Sequence, residues 1–192
     1  MLTHPSPGRA RAASSTEVLE FWFDERVRPL WFTPTPAFDR EVRERFEATW
    51  LAAQDHRLEA WEASAEGALA LVVVLDQFPL NMFRGQPQAF ATEAMARAVA
   101  NRAIAEGLDN RVGENRRGFL YLPFMHSESL ADQDRCVSLY EGAGLTDGLH
   151  WAHHHRDIVR RFGRFPHRNA ILGRESTDEE REWLASTAGY RG

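Results

Sequence analysis

No stretch of this chain alternates apolar and polar residues with the period of two that a half-buried strand requires, while several stretches repeat with the helical period of about 3.6 residues. The fold class this predicts is all-α, an antiparallel stack of α-hairpins with about eight helices. Phe38, Val42, Phe46 and Trp50 recur every fourth residue behind the turn Thr33-Pro34-Thr35-Pro36, with Glu41 and Arg45 on the outward side. Ser14 followed by Glu17 reads as a capping box, Ser129 with Asp132 as a weaker one, and Thr177-Asp178-Glu179-Glu180 opens the last helix. Thr92 opens another helix that Gly107 closes. From Glu66 to Phe83 the chain is at first apolar all round, which places that helix in the middle of the domain, and Pro79 should kink it or end it.

A chain of 192 residues fits one domain and can bury a core large enough to stand without a disulfide or a metal. The expected division is a flexible tail over residues 1–15 and a single helical domain over 16–192, with no cofactor required. Cys136 is the only cysteine, which excludes a disulfide framework or a CxxC redox pair and points to a reducing, cytoplasmic setting. The longest apolar stretch, Ala68 to Leu75, stops at Asp76, far short of the roughly 20 residues a membrane helix needs. A net charge of -5 argues against a nucleic-acid partner.

Three segments put polar groups where burial is expected. Gln77, Asn81 and Arg84 share one helical face, and Asp76 lies on a different, apolar one, where its carboxylate must find a partner or a proton. In Leu122-Pro123-Phe124-Met125-His126-Ser127-Glu128 a histidine follows an apolar run at a proline-disrupted turn, a place from which a side chain can be aimed into a cleft or held by backbone. The third runs from His150 to Asn169. There Trp151, Ile158, Val159 and Phe162 form the apolar arc of a helix with His155 in its middle, and His150 and His154 lie opposite. Arg164, His167 and Arg168 then gather donors in a turn, where arginine forks suit a carboxylate, a phosphate or helix C-terminal carbonyls.

Several specific chemistries are excluded. His150 and His154 have the i, i+4 spacing of zinc ligands, but no HExxH motif accompanies them, so no metal site is expected. His155-Arg156-Asp157 matches the start of a kinase catalytic loop, yet Phe162 occupies the place of the metal-binding Asn and no GxGxxG loop exists.

Across Leu19-Glu20-Phe21-Trp22-Phe23, Leu75-Asp76-Gln77-Phe78-Pro79, Asn81-Met82-Phe83-Arg84-Gly85, Tyr121-Leu122-Pro123-Phe124-Met125-His126-Ser127-Glu128 and Arg164-Phe165-Pro166-His167-Arg168-Asn169, the chain resembles the bacterial family catalogued as domain of unknown function 924. Leu80 stands where members of that family often carry arginine, and Glu93 where aspartate is usual. The resemblance implies a tetratricopeptide-like helical fold and supplies no activity.

Three functions fit these residues. In the first, helical hairpins enclose an aromatic-lined pocket in which Gln77, Asn81, Arg84, His126, Arg164, His167 and Arg168 bind a small anionic ligand or an acidic peptide end. In the second, His126 or His155 is a general acid or base oriented by Asp76 or Glu128. In the third, the same groups are interhelical braces of a scaffold, with Asp76, His155 and Arg156 forming a structural polar network.

Overall fold

The computed structural model describes residues 11–186, among which there is no strand. Eight α-helices carry the fold: α1 (Ser15–Trp22), α2 (Pro36–Gln54), α3 (Ala65–Met82), α4 (Glu93–Ala105), α5 (Glu114–Met125), α6 (Leu130–Gly142), α7 (Thr146–Phe162) and α8 (Asp178–Ala185). The capping box at α1 is formed as expected: the Ser14 hydroxyl accepts from the Glu17 amide at 3.2 Å, and the Glu17 carboxylate accepts from the Ser14 amide at 2.6 Å. Just ahead of it, the Ala13 amide donates to Thr49 Oγ1 of α2 at 2.8 Å. Residues 1–10 of the expected tail lie outside the described residues.

The apolar face of α2 meets α1 and α3 through a cluster of rings. Phe46 stacks on Phe78 with centroids 4.5 Å apart, and Phe21 lies 4.9 Å from Phe46. Helix α3 is long and apolar enough by composition to cross a membrane, but 89% of it is buried inside the fold. Its hydrophobicity is therefore met by the neighbouring helices, in keeping with an apolar pattern that runs all the way round.

Pro79 does not end α3, contrary to the expectation from its sequence. The helix widens into a π turn over Val73–Gln77 and resumes as Phe78–Met82, so that proline falls in the first turn of the resumed segment, where its missing N–H is tolerated. Leu75 is the residue whose carbonyl a normal residue 79 would have bonded. The Thr92 hydroxyl takes that carbonyl instead, donating to it at 2.6 Å while accepting from the Trp50 indole at 3.1 Å. Thr92, read as a helix cap, thus has its hydroxyl committed to the core and makes no capping bond to α4.

Helices α6 and α7 form a hairpin at the left-handed Gly144, and α7 ends at the left-handed Gly163. Gly148 is required at their crossing, because a Cβ there would stand 2.3 Å from the Tyr140 ring. Beyond Gly163 the chain turns back through Pro166–Arg168, which brings Phe165, His167 and Arg168 over the ends of α3 and α5.

Candidate functional site

The π turn aims two adjacent polar side chains of α3. Asp76 is directed inward, with its side chain fully buried, and His126, the C-terminal cap of α5, places Nδ1 3.0 Å from both of its carboxylate oxygens. Gln77 Nε2 donates to the same carboxylate at 2.6 Å. The backbone on either side of His126 is held by one side chain, the buried Gln133, whose amide nitrogen donates to the Met125 carbonyl at 2.6 Å and to the Ser127 carbonyl at 2.7 Å. Desolvation alone would lower the His126 pKa. The Asp76 charge and hydrogen bond, with Glu93 beyond them, more than offset it and hold the imidazole above its ordinary value.

Arg168 is the second fixed group. Its side chain is 7% exposed, and Nη1 lies 3.0 Å from the carboxylate of Glu93 at the start of α4. The guanidinium sits 4.4 Å from the ring centroid of Phe90 and 4.8 Å from that of Phe165, held between two aromatic faces. Burial raises the Glu93 pKa despite this partner.

These groups line one cavity of about 390 Å³. Gln77, Asn81 and Arg84 reach it from α3 and the turn that follows, His126 from α5, His155 from α7, and His167 and Arg168 from the return turn. Trp31, Phe32, Phe90 and Phe165 supply aromatic wall. Five segments distant in sequence thus meet around one space, as the functional reading of the sequence requires. The Arg84 guanidinium makes a two-bonded pair with Asp39 of α2 at 2.8 and 3.2 Å, and Asn81 Nδ2 donates to the same carboxylate at 2.8 Å.

Arg164 is not among the residues lining this cavity. Nε and Nη2 grip Glu180 at 2.7 and 2.8 Å, and Nη2 also donates to the Glu175 carbonyl, tying α7 to α8. Glu180, held to a pKa of about 2 chiefly by Arg164, completes the capping box of α8 with Thr177. Glu128 is likewise committed, accepting from the Phe165 amide at 2.8 Å and from both ends of Arg174 at 2.7 and 2.8 Å. Of the two carboxylates considered for orienting a histidine, Asp76 is the one that meets His126. Arg156 joins the neighbouring acids Asp157 and Asp134 across the α6–α7 hairpin, away from the cavity lining.

His155 is buried, His150 exposed and His154 half-buried, close to the arcs of the helical wheel. Burial pushes the His155 pKa down to about 3, and its Nδ1 donates to the Trp151 carbonyl at 2.8 Å. Burial, followed by the neighbouring Arg168 charge, lowers His167 to about 4. Neither is suited to carry a proton near neutrality, whereas His126 is. Among the described residues no group of histidine, cysteine and acidic side chains could hold a metal ion. The partners that sequence reasoning did not single out are Asp39, Gln133 and the Phe90–Phe165 clamp.

A family model described as bacterial protein of unknown function, DUF924, matches residues 18–188. The chain is also similar to a solved protein of unknown function from Agrobacterium tumefaciens, at 45% identity and a TM-score of 0.84, over 89% of this chain and 96% of the other. No curated protein matches it.

Proposed function

The chain belongs to the DUF924 family, and from that premise, which brings no activity with it, we propose that the cavity between α3, α5 and the return turn binds a small anionic ligand. One observation carries this reading: Arg84, His126, His167 and Arg168 line a single cavity, while the carboxylates that partner them, Asp39, Asp76 and Glu93, are not part of its lining. A negative ligand therefore meets cations first. Arg168, fixed between two rings, loses little freedom when it binds, which favours affinity. The cavity of about 390 Å³ suits a small molecule or the carboxylate end of a chain. A buried, unpaired Cys136, its thiol pushed up to about 12 by burial, fits a reducing cytoplasmic setting.

The test is a thermal-shift screen of the whole chain against small carboxylates and inorganic phosphate. The expected result is a dose-dependent rise in melting temperature for at least one anion, with Arg84→Ala weakening that binding by about 1.5 to 3 kcal/mol. No rise with any anion would end the reading.

The Asp76–His126 pair favours a second reading, in which the same site also moves a proton. Asp76 occupies Nδ1 and orients the ring, leaving Nε2 as the nitrogen that acts. In that case the ligand returned by the screen is turned over, and His126→Gln abolishes turnover while binding persists.

A further inference from the structure

The two amides of the cavity present their acceptor ends to it. An ionised carboxylate only accepts hydrogen bonds, so a side-chain amide set against one must offer its NH2 group. Gln77 Nε2 donates to Asp76 and Asn81 Nδ2 to Asp39, which fixes the orientation of both amides. Gln77 Oε1 and Asn81 Oδ1 then point the other way, and among the described residues neither accepts a hydrogen bond. Both residues are only 5% exposed, both line the cavity, and neither oxygen is sealed off from it. A carbonyl in such a place needs a donor.

A ligand that was merely an anion would answer the cations and leave both carbonyls unmatched. An ammonium group would supply donors, but it would enter a lining that carries arginine and histidine and no carboxylate. A hydroxyl supplies a donor without a charge. Resting on the anion-binding reading above, we propose that the ligand is a hydroxycarboxylic acid. Its carboxylate lies toward Arg84 and Arg168, its hydroxyl donates to the Gln77 or Asn81 carbonyl, and an apolar substituent lies along Phe90 and Phe165.

Three acids that share one body and one carboxylate test this by titration calorimetry on the whole wild-type chain: mandelate with a hydroxyl, phenylacetate with hydrogen, and phenylglycine with an ammonium group. Lactate and propionate repeat the first comparison for a body small enough to enter without the ring. The hydroxy acid of each pair is expected to bind about 10-fold tighter or more than its deoxy partner, because a site built around a hydroxyl leaves its own polar groups unpaired when the hydroxyl is missing. Phenylglycine should bind more weakly than mandelate. Asn81→Leu should bring the mandelate and phenylacetate affinities together, and if that variant fails to fold the wild-type series decides alone. Equal affinities within both pairs, or phenylglycine as the tightest of the three, overturn the hydroxy-acid assignment and leave anion binding standing. Failure of all five acids and of inorganic phosphate to bind overturns both.

Discussion

Replacing Arg168 by methionine keeps most of the side-chain volume between Phe90 and Phe165 and removes the charge that faces Glu93. Arg168 and Glu93 are 7% and 14% exposed, with 3.0 Å between nitrogen and oxygen, so the pair is largely out of water. Stranding a buried charge in this way costs about 3 to 5 kcal/mol. Glu93 has an escape, since it can bind a proton. That costs about 1.4 kcal/mol for each pH unit above the ordinary glutamate value near 4.3, or about 3.7 kcal/mol at pH 7 and about 1.6 kcal/mol at pH 5.5. Protonation therefore caps the loss, and the cap falls with pH. The sign follows from burial, which raises the Glu93 pKa in the folded state and more so without Arg168. A carboxyl with a raised folded pKa destabilises at pH values above its unfolded pKa, and the penalty fades as pH falls toward it. His126 and Asp76, the other charged groups acting on Glu93, are the same in both proteins. Urea denaturation of Arg168→Met beside wild type should show a loss of about 3 to 4 kcal/mol at pH 7 that shrinks by about half at pH 5.5, and Glu93→Gln should restore most of it. A difference independent of pH, or no rescue by Glu93→Gln, would refute the reasoning.

Arg84→Ala should cost little stability, about 1 kcal/mol or less by chemical denaturation, because the arginine side chain is 48% exposed and Asn81 still satisfies Asp39. A loss of several kcal/mol would instead mark Arg84 as a brace. Asp76→Asn should lower the His126 pKa measured by NMR titration, since desolvation would then act with less opposition. In wild type the stabilisation from this pair is complete below the ordinary imidazole range and is lost as pH climbs through the raised His126 value, so an unmoved titration would contradict the assignment. Thr92→Val should cost about 2 to 4 kcal/mol by orphaning the Leu75 carbonyl and the Trp50 indole, with Thr92→Ser largely neutral. An equal loss in both variants would show that the methyl, not the hydroxyl, matters.

Local rules made much of the fold legible. The capping boxes at Ser14 and Thr177 are formed, Ser129 accepts from the Asp132 amide, and Gly107 and Gly163 terminate helices in the left-handed conformation. Each depends on residues within a few positions of one another. The convergence of Arg84, His126 and Arg168 was readable because polar groups that interrupt apolar runs must meet when those runs pack. What stayed hidden depends on distant partners. Asp39 lies early in α2, where an acid is also favoured by the helix dipole, and nothing in its neighbourhood announces Arg84 from 45 residues away. Arg164 has the same composition signal as Arg168, and only the position of Glu180 separates a brace from a cavity wall. Pro79 reads as a stop because the hydroxyl that rescues its orphaned carbonyl comes from Thr92.

The widened turn at Val73–Gln77 has a consequence of phase. Each residue of an α-helix advances the screw by about 100°, so one residue more or fewer in that turn rotates everything downstream by about that angle. Gln77, Asn81 and Arg84 all sit at or after it and face the same space. Deleting a single residue there would return the helix to regular pitch and swing all three side chains out of alignment with His126, although no amino acid of the site had been replaced. In this fold an insertion or deletion can therefore switch the site off as completely as a substitution.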